Sequence, residues 1–249
     1  MNDTARITSA GPALRELANR YGSDKGDSVN CAHDYVRIYE RILAPCRQAP
    51  ITVAEIGLIH VFTQAEFAGR LEQSGCPSLR MWADYLPQAA ICGMDIADLV
   101  ALGNERIHIA RGDQGSRDDL ESFARAHGPF DLIIDDGSHA SHHQQVSLAA
   151  LFPHLAPGGL YIIEDLHFQP AELEVSGITR TREFLRHMLR PGEMLKLPLS
   201  QAEYGYLLAN VAAVNFFDSL SPKWAAQQAE DAMAVIRKAG EHAWLPPHW

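Results

Sequence analysis

The stretch PFDLIIDDGSH, residues 129–139, joins an apolar run to a polar, acidic end. An uninterrupted apolar run of this length is typical of a strand buried on both faces of a sheet. The chain has four similar runs, ITVAEIG (51–57), QAAICGMDI (88–96), RIHIARGD (106–113) and GLYIIEDL (159–166). Helical patterns separate several of these runs, and that alternation predicts an α/β fold with a mostly parallel sheet.

Seven segments have helical or strand patterns outside those five runs. Helices are predicted for ALRELANR (13–20), HDYVRIYERIL (33–43), LRMWADYL (79–86), DDLESFARAH (118–127), SHHQQVSLAALFPHL (141–155) and TRTREFLRHML (179–189). The segment NVAAVNFFDSL (210–220) predicts a strand near the edge of the sheet. We expect a single domain over residues 1–249, with a helical N-terminal extension (1–48), a central core (49–170) and a C-terminal part with a helix and edge strands (171–249).

Composition and net charge indicate which partners and which cellular location to expect. Of 249 residues, 47% are apolar, 21 are basic and 31 are acidic, which gives a formal net charge of −10. That charge disfavours a nucleic acid or an anionic membrane as partner, since both require a basic surface. The sequence has no apolar run of membrane-spanning length, no signal-peptide pattern and no Cys-x-x-Cys pair, so we expect a cytoplasmic protein with reduced thiols.

Acidic residues stand at the end of every predicted strand in the central core. They are Glu55, Asp95, Asp113, the pair Asp135 and Asp136, and the pair Glu164 and Asp165. Aspartate is common in turns and helix caps, which explains one or two of them. Adjacent carboxylates repel each other unless a cation lies between them. Because ligands of open parallel sheets bind at the carboxyl ends of the strands, the pattern predicts a cation-binding cleft there.

The same strand ends indicate the kind of organic ligand. An acidic residue after the second strand, here Asp95, commonly binds ribose hydroxyls. The dinucleotide fingerprint G-x-G-x-x-G is absent after the first strand, which weakens a nicotinamide hypothesis. These features fit a nucleoside ligand without a pyrophosphate, such as S-adenosylmethionine (SAM).

Four segments resemble the macrolide-sugar and rhamnose O-methyltransferases of the mycinamicin VI 2''-O-methyltransferase type. They are SLRMWADYLPQAAICGMDI (78–96), RIHIARGDQGS (106–116), GPFDLIIDDGSH (128–139) and LFPHLAPGGLYIIEDL (151–166). The stretch GSDKG (22–26), followed by His33 and Tyr35, is similar to that group as well. The resemblance implies a Rossmann-like class I methyltransferase that uses SAM and a divalent cation, usually Mg²⁺.

Several roles follow from this resemblance. Asp136, Glu164 and Asp165 are expected to bind the metal, and His139 is expected to act as general base. The implied acceptor is a hydroxyl of a small, glycosylated or polyhydroxylated natural product, such as an antibiotic. We also expect a homo-oligomer.

Cofactor contacts are expected along the same strand ends. Glu55 and Gly57 would border the methionine end of SAM, and Asp95 its ribose. Asp113 and Gln114 would border the adenine. Two further groups complete the set: Asp135 would hold the amino group or the hydrogen-bond network of the site, and Ser23, Asp24 and Tyr35 would close over the cofactor.

One loop departs from the family pattern. Relatives have a glycine-rich loop after the first strand, whereas this chain has Gly57-Leu58-Ile59-His60-Val61-Phe62. Bulky residues there leave open a non-methylating biosynthetic enzyme, such as a cyclase, on the same fold. A degenerate binding subunit is the second alternative, and the complete set of carboxylates with His139 disfavours it.

Some histidines and aromatic residues allow two interpretations. His139, His142 and His143 have a spacing found in zinc sites, but solvent or substrate contact is the favoured interpretation for the last two. Tyr204, Tyr206 and Trp224 could line an acceptor pocket, although packing is the commoner role. Trp82 is expected in the core, and the apolar tail at residues 243–249 is expected either to pack or to cap the site.

Overall fold

A computed structural model of the chain describes residues 11–29, 32–59, 75–189, 195–221 and 232–249. Seven strands form one sheet in the order β3-β2-β1-β4-β5-β7-β6. They are β1 (Thr52–Ile56), β2 (Ala90–Asp95), β3 (Ile107–Arg111), β4 (Phe130–Asp135), β5 (Leu155–Ile163), β6 (Val211–Phe217) and β7 (Met233–Lys238). The first five strands pair in parallel, while β7 runs antiparallel to both β5 and β6.

Seven helices are described. They are α1 (Leu14–Tyr21), α2 (Val36–Leu43), α3 (Pro77–Tyr85), α4 (Arg117–His127), α5 (Ser141–Leu151), α6 (Thr181–Leu189) and α7 (Gln201–Asn210). Local signals fix several of their ends. The Ser116 side chain accepts the Asp119 N–H at the start of α4, and Ser200 with Glu203 forms a capping box at the start of α7.

The predicted α/β fold is confirmed, with three differences in its elements. Strand β5 begins at Leu155 instead of Gly159, so the Pro-Gly-Gly turn lies inside the strand. Helix α5 ends at Leu151, where a short 3₁₀ turn containing Pro153 follows. Helix α7 and strand β7 were not predicted.

Two buried clusters cover opposite faces of the sheet, because alternate side chains of a strand point to opposite sides. On one face, Leu132 and Ile134 of β4 pack with the helices α1, α2 and α3. On the other face, Ile133 packs with α4, α5, α6 and α7. We call these the N-terminal face and the C-terminal face of the sheet.

The C-terminal tail packs on the body of the domain. His242 Nε2 lies 2.8 Å from Asp131 Oδ1 at the start of β4, and Leu245 is buried in the cluster of the N-terminal face. The Trp249 ring lies 5.9 Å from that of Phe217 at the end of β6. Packing, rather than a cap on the site, therefore accounts for the tail.

Within the described ranges, no helix is both long and apolar enough to cross a membrane. Trp224 and the residues from His60 to Phe62, on which two of the expectations above depend, lie outside the described residues.

Gly57 lets the ends of β1 and β4 approach each other. Its φ of 81° is in the left-handed region, and a Cβ there would lie 2.1 Å from the backbone oxygen of Asp136. Its N–H donates to Met94, while the Asp136 N–H donates to Ile56. A side chain at position 57 would therefore displace the turn that carries Asp136.

We expect Gly57→Ala to lower the free energy of unfolding by about 3 kcal/mol or more, because it adds both a clash and backbone strain. Urea denaturation measures this loss. Gly205→Ala is the matched control, since Gly205 is exposed in α7 with open space around it. That control should raise stability by up to about 1 kcal/mol, and an equal response of the two variants would contradict the argument.

Candidate active site

The parallel register brings three strand ends together. Ile56 of β1 pairs with Asp135 of β4, and Asp135 pairs with Ile163 of β5. The residues at these ends include Glu55, Asp136 and Glu164. All three carboxylates are on the N-terminal face, because they alternate with residues that contribute to the opposite cluster.

Lys25, in the loop between α1 and α2, lies among these three carboxylates. Its Nζ is 3.2 Å from Glu55 Oε1 and 3.0 Å from Glu164 Oε1, and it also forms an ion pair and hydrogen bond with Asp136 Oδ2. Only 1% of the lysine side chain is exposed. Lys25 was not predicted as a site residue, although it lies in the GSDKG stretch. A lysine within a motif otherwise rich in glycine and small polar residues was the available signal.

The charges of this cluster shift the pKa values of its members. Burial alone lowers the pKa of Lys25, but attraction to Asp136, Glu164 and Glu55 outweighs it and raises that pKa well above its ordinary value. Burial raises the pKa of Glu164 to about 8, although Lys25 opposes the rise. Burial and repulsion by Glu164 raise the pKa of Asp136. The site therefore has a shortage of positive charge.

Aromatic side chains donate hydrogen bonds to two of these carboxylates and to the neighbouring Asp165. Tyr35 OH donates to Asp165 Oδ1 at 2.7 Å, and Tyr39 OH donates to Glu164 Oε1. The Trp82 indole N–H donates to Glu55 Oε2 at 2.8 Å. Trp82 is in the core as predicted, and it also supports a carboxylate of the site. Tyr39 was not predicted as a site residue.

Asp165 is surrounded by three imidazoles. His33 Nδ1 and His167 Nδ1 lie 3.6 and 3.9 Å from its Oδ1, and His139 Nε2 lies 4.0 Å from its Oδ2. Burial alone would raise the pKa of Asp165, but His33, His139 and the Tyr35 hydrogen bond lower it overall. Asp165 and His139 have φ values of 54° and 60°, so both are in a conformation that is uncommon outside glycine.

The donor atoms of this region fit a divalent cation. One ligand atom each from Asp136, His139 and Asp165 lies within 4.8 Å of the others, and so do those of His33, Asp165 and His167. Carboxylate oxygens suit a hard ion, and imidazole nitrogens are accepted by several divalent ions. Glu164 adjoins the first group through Lys25 and Asp136 but belongs to neither. The predicted trio of Asp136, Glu164 and Asp165 thus lies in one place, and its role as the ligand set stays a prediction.

The zinc interpretation of His142 and His143 gains no support. His143 Nδ1 lies 2.7 Å from Ser138 Oγ, and the two imidazole rings are 4.0 Å apart. Within the described part of the chain, the groups of close donor atoms include neither histidine.

The predicted cofactor residues divide into exposed and buried positions. Asp95 accepts the backbone N–H groups of Leu58 at 2.8 Å and Ala97 at 2.9 Å, so it orders the loops after β1 and β2. Asp113 is exposed, and its carboxylate accepts the N–H of Gly115. Ser23 is buried, and its hydroxyl accepts the N–H of Lys25 at 3.3 Å.

Asp135 lies in a buried network on the C-terminal face. Its carboxylate accepts hydrogen bonds from Gln114 Nε2 at 2.6 Å, Tyr161 OH at 3.1 Å and the hydroxyl of Ser147. Gln114 Oε1 in turn accepts the N–H of Ser138 at 2.9 Å. Of the two roles expected for Asp135, this geometry matches the hydrogen-bond network. Gln114 also contacts this network and thereby braces the turn that leads to His139.

A sheet with this strand order, and with a cluster of carboxylates at the carboxyl ends of its central strands, defines the Rossmann-like fold of class I methyltransferases. Residues 76–166 match the family model described as a methyltransferase domain. This match agrees with the class I methyltransferase fold that the sheet shows.

The chain is 40% identical over 155 residues, 62% of its length, to the mycinamicin VI 2''-O-methyltransferase of Micromonospora griseorubida. It is 41% identical over 162 residues, 65% of its length, to the demethylmacrocin O-methyltransferase of Streptomyces fradiae. The chain spans 36% and 38% of these two relatives. The resemblance to sugar O-methyltransferases is therefore confirmed.

A solved structure shares the fold over nearly the whole chain. It is the MycE methyltransferase from the mycinamycin biosynthetic pathway, in complex with Mg, SAH and mycinamycin VI. The TM-score is 0.69 at 29% identity, and the match covers 97% of this chain and 58% of that chain.

We expect Trp82→Phe to lower the free energy of unfolding by about 2 kcal/mol or more, because a buried carboxylate loses its donor. Thermal and urea unfolding measure the change. Trp244→Phe is the control, since Trp244 is 48% exposed, and it should change stability by less than about 0.5 kcal/mol. Similar losses in the two variants would show that the hydrogen bond to Glu55 contributes little.

Proposed function

We propose that the protein is a SAM-dependent, Mg²⁺-dependent O-methyltransferase that acts on a hydroxyl of a glycosylated or polyhydroxylated natural product. The observation that carries the proposal is the convergence of Asp136, His139 and Asp165 at the carboxyl ends of the strands. Named sugar O-methyltransferases at about 40% identity supply the substrate class.

The groups that would hold the two cofactors lie on adjacent strand ends. Asp136, Glu164 and Asp165 would hold the metal ion, and His139 lies beside them. The strand-end residues that would border SAM are Glu55, Gly57, Asp95, Asp113 and Gln114, and Ser23 and Tyr35 would cover it. Asp135 would act through its hydrogen-bond network with Gln114. When bound, SAM supplies an electrophilic methyl group and Mg²⁺ lowers the pKa of an acceptor hydroxyl.

His139 is the group that would remove the proton from the acceptor. Its Nδ1 is buried and has no hydrogen-bond partner among the described residues, while its Nε2 lies toward Asp165. Nε2 therefore takes the proton, and the Asp165 carboxylate stabilises the imidazolium that results.

Tyr35 and Tyr39 would exclude water from this reaction. Both rings are buried, and their hydroxyls are bound to Asp165 and Glu164. A drier site strengthens each charge interaction within it.

The alternative of a non-methylating cyclase receives no support from the relatives reported above, since both are named as O-methyltransferases. In the altered loop, Leu58 is buried in the core cluster of the N-terminal face. SAM binding beside this loop therefore needs a direct test. Transfer of a labelled methyl group from SAM to a rhamnosylated macrolide tests the proposal. SAM binding with no transfer to any sugar-bearing acceptor would contradict it.

The proposal includes the architecture around this site. Residues 49–170 form the cofactor- and metal-binding core, residues 1–48 a helical lid, and residues 171–249 the acceptor side. A cytoplasmic location and a homo-oligomer complete it. Size-exclusion chromatography with light scattering tests the last point.

Asp136→Asn should abolish Mg²⁺-dependent turnover and leave SAM affinity within a few-fold of the original, because it removes a negative ligand from the metal and not from the nucleoside pocket. Methyl transfer and calorimetry with SAH measure the two effects. Asp118→Asn, at an exposed position in α4, should leave both unchanged. Metal-dependent turnover in Asp136→Asn would refute the metal assignment.

His139→Ala should lower kcat by about 10²- to 10⁴-fold, the usual contribution of a general base. The variant should recover part of this loss as pH rises, since hydroxide then replaces the imidazole. His248→Ala, at an exposed position in the C-terminal tail, is the control and should keep kcat within about twofold. A wild-type pH–rate profile in His139→Ala would assign the base to another residue.

A further inference from the structure

Lys25 is a buried cation at the centre of the carboxylate cluster of this site. We infer that its ammonium group takes the place of a second divalent ion, so that the site binds one Mg²⁺ where its carboxylates could bind two. The inference rests on the proposed function, because it assumes a metal position beside Asp136.

Asp136 belongs to two different cation environments. Its Oδ2 contacts Lys25, which also contacts Glu55 and Glu164. A carboxylate oxygen of Asp136 also lies within 4.8 Å of ligand atoms of His139 and Asp165. Three carboxylates around one position resemble the ligand set of a hard divalent ion. Here an ammonium group already occupies that position.

The charge balance agrees with one metal ion. Glu55, Asp136, Glu164 and Asp165 contribute four negative charges when ionised. Lys25, one Mg²⁺ and the sulfonium of SAM contribute one, two and one positive charges, which equal them. A second Mg²⁺ in addition to Lys25 would leave an excess of positive charge in a buried site, which is costly.

The fold holds Lys25 in this position from both sides. The N–H of Ser23 donates to Ala18 of α1, and the Val36 N–H of α2 donates to the carbonyl of Lys25 itself. The loop also packs closely on α1, because a Cβ on Gly26 would lie 2.5 Å from Asn19 Oδ1. The ammonium is therefore part of the built site and not a surface charge that has folded inward.

A matched control is available in the same chain. Lys238 is also buried, but its Nζ contacts the carbonyl oxygens of Phe152, Pro153 and Leu155 and, among the residues that the structure describes, no carboxylate. Replacing Lys238 thus removes a buried ammonium group and leaves the carboxylate cluster unchanged. The pair Lys25→Ala and Lys238→Ala separates the specific effect from the loss of any buried lysine.

The test is a calorimetric titration of the full-length protein with MgCl₂, with magnesium content measured after equilibrium dialysis. Wild type and Lys238→Ala should bind one Mg²⁺ per chain. Lys25→Ala should bind two Mg²⁺ per chain. Its first Mg²⁺ should bind at least about tenfold more tightly than the Mg²⁺ of the wild type, because a positive neighbour is gone. One Mg²⁺ in Lys25→Ala, at any affinity, would overturn the inference, while no Mg²⁺ in wild type would instead refute the proposed metal site.

Folding provides a second measurement. Without metal, Lys25→Ala leaves three buried carboxylates with no counter-cation, so we expect its melting temperature to fall below that of wild type. Addition of MgCl₂, but not of NaCl at equal ionic strength, should restore it or allow an unfolded preparation to refold. Equal responses to the two salts would overturn the inference even if the variant never folds alone.

Discussion

The structure depends on the neutralisation of carboxylates that the sheet concentrates at one place. Parallel strands end at a common edge, so the acidic residues that end β1, β4 and β5 must come together. Burying such groups costs several kcal/mol each unless partners compensate. Lys25, Tyr39 and Trp82 are those partners. This requirement explains why the loop and helices before the sheet pack so closely on it: they supply the donors that the sheet itself lacks.

Three residues near these carboxylates, Gly57, His139 and Asp165, have left-handed backbone, which helps to bring the strand ends together. Gly57 allows the turn after β4 to approach β1, and that turn leads directly to His139. His139 and Asp165 both have left-handed backbone, which costs about 1–3 kcal/mol at each non-glycine residue. The buried network of Asp135 and Gln114 opposes this strain from the other side of the sheet. Rigid support on one face thus permits a strained, chemically useful arrangement on the other.

Sequence reasoning worked where local pattern decides the structure. The five apolar runs became β1 to β5, and the acidic residues after them converge as the parallel arrangement requires. It could not find Lys25, because that contact joins residues 111 positions apart, nor Tyr39, whose partner is 125 positions away. Tyr39 lies in a helix whose local sequence looks ordinary, and for Lys25 the GSDKG motif marks the loop without showing what the lysine contacts. Strand β7 was missed although its run MAVIRK is as long as β2 and β4. Its place in the sheet depends on antiparallel pairing with β5 and β6, which the local pattern does not show.

The alternation of side chains along a strand predicts that the adjacent residues Asp135 and Asp136 lie on different faces of the sheet. Their shared position at a strand end suggested a shared function, yet consecutive side chains of a strand point to opposite faces. Asp135 therefore meets Ser147 and Tyr161 of the C-terminal face, whereas Asp136 meets Lys25 on the N-terminal face. The doublet avoids mutual repulsion by this division, without a cation between its members. Alternation applied to the whole chain would also have put Glu55 and Glu164 on the face of Asp136, and would have required a positive group from the N-terminal helices or their loops.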